Sequence, residues 1–264
     1  MSEQLISPLA SVNPGAKIGP NVKIGPFCVI YDDVEIGEGT VLENSVTVFP
    51  GARIGKFCHI FPGACIATTP QDLKFKGEYT TAEIGDYTQI HECVTVHRGT
   101  ASKQVTHVGS HCLIMAYSHV AHDCYVSDGV IMSNCVQMAG EVVVEPNAVI
   151  GGGALIHQFT HIGAYCMIQG GAQINKDVPP YTMAARVPTV YVGLNTVGLR
   201  RHNMPAETIL NIQEMYRIIY MSGLNVTHAL DKVEAEFPQS PERDHILDFI
   251  RSSERGILRS MIGS

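Results

Sequence analysis

An aliphatic side chain recurs at every sixth position from Val12 to Ile66: Val12, Ile18, Ile24, Ile30, Ile36, Leu42, Val48, Ile54, Ile60 and Ile66. The beat resumes in the same phase at Ile84, Ile90 and Val96. It runs again from Val108 through Ile174, where Met132 and Met138 are its only unbranched members. A fixed period sustained over most of a chain marks a repeat architecture.

Six fits neither the 3.6-residue period of a helix nor the two-residue alternation of a long strand, so it predicts short strands separated by regular corners. Two positions before each aliphatic residue the side chain is small, as at Val22, Cys28, Thr40, Ala52, Cys58, Cys112, Cys124, Ala148 and Cys166. These two phases lie on one face of a strand and are the expected core. The residue after the aliphatic one is often Gly (Gly19, Gly25, Gly37, Gly151) and the next is often Pro (Pro20, Pro26, Pro62). Those phases are the expected corners, where positive φ or a missing N–H is tolerated. Three hexapeptides closing a triangle place residues 18 apart above one another at a ladder spacing of about 4.8 Å, which is a parallel β-helix. The Ile-Gly-x-x-small-x repeat resembles that of the hexapeptide-repeat transferases. The resemblance implies left-handed coils, against the usual crossover rule, and a homotrimer with ligand clefts between subunits.

The 264 residues are 45% apolar, contain no Trp and carry a formal net charge of −7. This argues against a general nucleic-acid binder, which needs a broad basic surface, and leaves room only for local basic patches. No run of 18 uncharged apolar residues occurs, and Met1-Ser-Glu-Gln lacks the start of a secretory signal, so neither a membrane span nor a signal peptide is expected. Five of the eight cysteines (Cys28, Cys58, Cys112, Cys124, Cys166) take the small inward phase and no CxxC pair occurs. They read as reduced core residues of a cytoplasmic protein.

Two segments interrupt the beat, Ala67 to Glu83 and Arg98 to His107. The first is polar and holds Pro70 and Gly77, so it is expected to leave the coil. After Pro179-Pro180 the beat ends. Apolar spacing then predicts helices from Ala206 to Met221, from Thr227 to Phe237 and after Ser240-Pro241, an N-cap followed by Pro at N1. The expected division is a β-helix domain at 1–190, with excursions near 67–83 and 98–107, and a helical domain at 191–264.

Catalytic chemistry must sit on the outward phases. Among twelve histidines, the cluster His119-Val-Ala-His122-Asp123-Cys124 stands out, and His122 falls at a corner. An imidazole, with an ordinary pKa of about 6.5, can take a proton from a sugar hydroxyl near neutral pH. Gly140 lies 18 residues after His122, hence one coil on, where a backbone N–H could meet a developing oxyanion. The same residues are also consistent with a surface histidine and a turn glycine.

The motifs Pro70-Gln71-Asp72-Leu73-Lys74, Val96-His97-Arg98-Gly99-Thr100, His119 to Cys124, Gly151-Gly152 with Ile156-His157-Gln158-Phe159, Asp177-Val-Pro-Pro-Tyr181 and Gly193-Leu-Asn195 together resemble the UDP-N-acetylglucosamine O-acyltransferases that begin lipid A biosynthesis. The resemblance covers the whole chain. It implies transfer of a 3-hydroxyacyl chain from acyl carrier protein to the glucosamine 3-hydroxyl of UDP-N-acetylglucosamine, with no metal or cofactor. It makes His122 the general base, Asp123 its support and the Gly140 amide the oxyanion site. His119, His157 and Gln158 match residues lining the substrate cleft; Gln71, Asp72 and Lys74 belong to a loop that reaches the substrate; His97 lies near the acyl donor. Asn195 and Arg201 match the segment that contacts the nucleotide and its phosphates. Gly170 falls where the family measures acyl length, and a glycine there implies a long chain.

Three positions depart from the family: Glu141 and His202, where histidine and arginine are common, and Val197, where glutamate is common. They bear on acceptor recognition and keep open a related acyltransferase using a 3-amino sugar nucleotide or acetyl-coenzyme A. A zinc hydratase of the carbonic anhydrase type fits poorly, because no two histidines lie five positions apart. An inactive scaffold would not need polar, Lys-bearing interruptions beside the histidine cluster.

Overall fold

The six-residue beat becomes a coil with three parallel faces. In the computed structural model, which describes residues 5–260, strands mostly of two residues stack into sheets of eleven, nine and eight strands. The first face begins at Leu5–Ile6, the second at Ser11–Val12 and the third at Lys17–Ile18. Each residue pairs with the one 18 positions on, Ser11 with Val29 and Lys17 with Glu35. The fold is a left-handed parallel β-helix followed by helices, as the repeat and its family resemblance predict.

Beyond the partly exposed first coil, both inward phases are buried: Val22, Cys28, Ile60, Ala64, Ile114, Val120, Val130 and Met132 are all 0–2% exposed. Each coil thus adds a small apolar layer, and burying one aliphatic side chain stabilises by about 1.5–3 kcal/mol. All five cysteines at the small phase are buried and none of the eight is disulfide-bonded.

The corners differ from expectation. The left-handed residue is not the glycine after the aliphatic position but the residue two places later, and it is commonly not glycine: Asn21, Phe27, Tyr87, Asp123 and Glu141 all have φ near +60°. The glycines answer to proximity instead. A Cβ on Gly37 would lie 2.5 Å from the Gly55 carbonyl carbon, and one on Gly151 2.4 Å from the Gly170 nitrogen. Successive coils pass too close there for any side chain.

Both interruptions leave the coil and return in phase. His59 pairs with Gln89, a separation of 30 residues where 18 is the rule, and Gln89 pairs with Leu113, a separation of 24. The insertions therefore amount to twelve and six residues, whole hexads. The strand Thr81–Ile84 already belongs to the third face, so the first excursion ends before residue 81.

The coil ends in a hairpin. Thr182–Ala185 pairs parallel to Met167–Ile168 and antiparallel to Val190–Leu194, so residue 190, the expected division, is the first residue of the return strand. Four helices follow: α1 (Thr196–Arg201), α2 (Ala206–Met221), α3 (Val226–Glu236) and α4 (Pro241–Ser252). Spacing predicted the last three; α1, with only six residues, is too short to show a period. Tyr216 anchors α2 to the coil, fully buried with its hydroxyl donating to the Pro180 carbonyl at 2.8 Å. Glu145 on the coil meets His161 at 3.0 Å and His245 of α4 at 2.8 Å. Burial raises this carboxyl, but hydrogen bonds and charge from the two histidines outweigh it and hold it down to about 2.

Candidate active site

The second face carries an outward ladder in register: Thr95, His119, Gln137, Leu155 and Gln173. Beside it, the corners that lead to the third face stack His122 over Gly140 and Gln158. Together they border an open cleft of about 740 Å³. Of the residues expected in the site, Gln71, His97, His119, His122, Gly140, His157 and Gln158 line this cleft.

His122 Nδ1 lies 2.8 Å from Asp123 Oδ2, and the Asp123 carboxylate is completely shielded from solvent. Two further groups donate to that carboxylate: Thr100, through its hydroxyl at 2.6 Å and its amide at 2.8 Å, and the Lys103 amide at 3.2 Å. Burial raises the Asp123 carboxyl, but bonds from the Thr100 hydroxyl, His122 and the two amides overcome it and leave it below the ordinary carboxylate range. An ionised carboxylate only accepts, so Nδ1 carries the proton and Nε2 presents a lone pair on the cleft side.

Gly140 lies under the imidazole. A Cβ there would come within 2.5 Å of His122 Cε1 and 2.7 Å of Nε2. Gly140 lines the cleft, and its amide has no hydrogen-bond partner among the described residues. An unpartnered N–H is a group that can stabilise a developing oxyanion.

The neighbouring imidazoles are held neutral. Burial lowers His97 to about 4, aided by repulsion from His119 and His122 and opposed by a backbone hydrogen bond at Thr69. Burial and then His122 lower His119, whose Nδ1 sits 2.7 Å from the Thr95 hydroxyl. Burial pushes the Cys124 thiol up to about 12, which removes it as a nucleophile.

Asp72, Lys74 and Glu141 border a smaller hollow of about 200 Å³ between the two insertions, with Glu78 and Thr100 to Ser102. Gly170, Asn195 and Arg201 do not line the main cleft. Gly170 lies in a corner between the first and second faces, on the opposite edge of the second face from His122. Asn195 has both ends of its side-chain amide engaged within the chain. It caps α1 by accepting from the Gly198 amide and donates to the Tyr165 carbonyl at 2.9 Å, leaving the side chain buried. Arg201, in the last turn of α1, is exposed, and His202 packs edge-on against Tyr165.

Sequence reasoning missed Gln137, Leu155, Gln173 and Asn175 in the cleft. The first three were detectable, since they follow His119 at successive intervals of 18.

Models of two families match: bacterial transferase hexapeptide repeats over residues 15–50 and the second domain of UDP-N-acetylglucosamine O-acyltransferase over residues 177–258. The coil of hexapeptide repeats makes this a hexapeptide-repeat transferase. An acyl-(acyl-carrier-protein)–UDP-N-acetylglucosamine O-acyltransferase from Thermodesulfovibrio yellowstonii is 46% identical over 255 residues, covering 96% of this chain and 99% of the relative. The crystal structure of LpxA, a UDP-N-acetylglucosamine acyltransferase from Bacteroides fragilis, superposes with a TM-score of 0.95 at 52% identity, covering 96% of this chain and 99% of the other. LpxA from Acinetobacter baumannii gives 0.94 at 42% identity, over 97% and 100% of the two chains. The chain belongs to the UDP-N-acetylglucosamine O-acyltransferase family and is an O-acyltransferase.

Proposed function

We propose that the chain transfers a 3-hydroxyacyl group from acyl carrier protein to the 3-hydroxyl of UDP-N-acetylglucosamine, the first step of lipid A biosynthesis. The observation that carries this reading is the unpartnered Gly140 amide directly beside His122, with Asp123 fixed behind. His122 Nε2 accepts the hydroxyl proton as the oxygen attacks the thioester carbonyl. The Gly140 N–H holds the resulting oxyanion. Collapse breaks the carbon–sulfur bond, and the departing carrier thiolate takes the proton from Nε2. No covalent enzyme intermediate is needed, in keeping with the inert Cys124.

His119, His157, Gln158 and Gln71 are assigned to the acceptor and the donor thioester along the second face, and His97 to the acyl side. Asp72, Lys74 and Glu141 act from the hollow between the insertions. Arg201 is assigned to the nucleotide phosphates, for which a guanidinium is suited, and Asn195 to holding the helix that carries it. Gly170 leaves room for a long acyl chain. The cleft is open on the single chain, which supports a homotrimer whose subunits close it. Free cysteines and the absence of any helix long and apolar enough to cross a membrane among the described residues support a cytoplasmic enzyme.

The test is incubation with UDP-N-acetylglucosamine and a series of 3-hydroxyacyl carrier proteins, beside the 3-amino sugar nucleotide and acetyl-coenzyme A, with products identified by mass. Transfer to UDP-N-acetylglucosamine is expected. Product only from the amino sugar or from acetyl-coenzyme A would overturn the acceptor or the donor.

A further inference from the structure

The second insertion, Arg98–Gln104, folds onto the Asp123 carboxylate, while the coil itself holds the Asp123 amide through the Thr106 hydroxyl at 2.8 Å. Its Thr100 is buried, 6% exposed, and its hydroxyl has a fixed direction: it accepts from the Ser102 amide at 3.2 Å and so turns its proton to Asp123 Oδ2 at 2.6 Å. The Thr100 and Lys103 amides converge on the other oxygen, Oδ1. The loop is closed behind by the Gln104 amide, which donates to the Thr100 carbonyl at 2.7 Å. Gly99 permits the tight return, since a Cβ there would stand 2.4 Å from the Val105 nitrogen. Two carboxylates hold the loop from outside: Glu78 of the first insertion accepts from the Ala101 amide at 3.2 Å, and Glu141 from the Ser102 hydroxyl at 3.1 Å.

We infer that Thr100 is a positioning residue for the reaction, acting through Asp123 to fix the tautomer and direction of the His122 ring. This rests on the assignment of His122 as general base. Oδ2 is shared between the Thr100 hydroxyl and His122 Nδ1, so the two donors compete for one oxygen. Without the hydroxyl, the two amides still hold Oδ1, but Oδ2 is left to His122 alone, so the carboxylate can rotate about that anchor and its charge falls more heavily on the ring. The ring then holds its proton to higher pH and sits less well for abstraction.

Thr100→Val keeps the shape and removes the hydroxyl. It should lower kcat about 10- to 100-fold, by analogy with the loss of an outer partner that orients a metal-bound imidazole, with KM little changed. The acid limb of kcat/KM should move toward higher pH. Thr100→Ser should restore both. On an Asp123→Ala background, Thr100→Val should cost nothing further, because the path to His122 is already broken. The inference is overturned if Thr100→Val turns over like the wild type, if it costs the same on both backgrounds, or if it lowers kcat with an unmoved acid limb and a reduced Tm, the mark of a merely structural loop contact. His122→Ala separates the two readings. Normal turnover in that variant removes the base itself, whereas an inactive His122→Ala beside a fully active Thr100→Val sinks only the role of Thr100.

Discussion

Gly140 and His122, one coil apart, approach so closely that a methyl group on the first would occupy the space of the second's ring, 2.5 Å from Cε1. Gly140→Ala must therefore displace the imidazole and block the amide together. A loss in kcat of at least about 10²-fold is expected, comparable to removal of an oxyanion donor, with a nearly native Tm because the ring borders an open cleft. Retained kcat would show that neither group acts where the geometry places it.

His122→Ala removes the base while leaving the coil intact. Its rate should fall by about 10²- to 10⁴-fold, the contribution of a positioned general base, while UDP-N-acetylglucosamine still binds. Calorimetric titration of the nucleotide sugar beside single-turnover kinetics distinguishes lost chemistry from lost binding.

Acid should weaken the fold in two windows. His97 titrates at about 4 when folded and near 6.5 when unfolded, so the unfolded chain binds the extra proton and stability falls as pH drops from about 6.5 to 4. The shift corresponds to about 3 kcal/mol. Glu145, held at about 2, contributes stability fully above its ordinary value and loses it as pH falls from about 4.5 toward 2. Urea unfolding of wild type and His97→Asn between pH 7 and 4 checks the first window, since the variant's curve should be the flatter of the two. Parallel curves would exclude His97 as the cause.

Asn195→Ala should act on stability before it acts on binding. The variant loses a helix cap and the bond to the Tyr165 carbonyl, a cost of about 1–2 kcal/mol. Tm should fall and KM for the nucleotide sugar should rise as α1 loosens. A raised KM at an unchanged Tm would instead restore a direct contact with the nucleotide.

Ile114→Ala opens the core of a middle coil, where Ile114 is completely buried between Ile90 and Met132. A destabilisation of about 2–5 kcal/mol is expected, read as a lower urea midpoint. An unchanged midpoint would mean that single coils unfold without consequence for the rest.

Most of the fold was legible because one period states it. The beat at Val108 through Ile174 names the core residues, their faces and their vertical neighbours, and so it put Gly140 beside His122 before any coordinates. What it did not convey lies off the ladder. Thr100 reaches Asp123 from an insertion, where spacing carries no information about where a side chain lands. The capping role of Asn195 was hidden because α1 is too short to show a helical pattern, and the family resemblance spoke only of the segment that contacts the nucleotide. The corner glycines were assigned the wrong reason: sequence reveals that a side chain is missing but not whether dihedral angle or crowding excludes it.

The whole-hexad lengths of the two insertions have a consequence for how such an enzyme changes over time. Six residues added within a rung leave every later side chain on its original wall, whereas five would turn the histidines downstream inward and the isoleucines out. Loops that shape the cleft can therefore be gained, lost or exchanged in whole steps while the catalytic corner stays in place, so the architecture quantises its own variation.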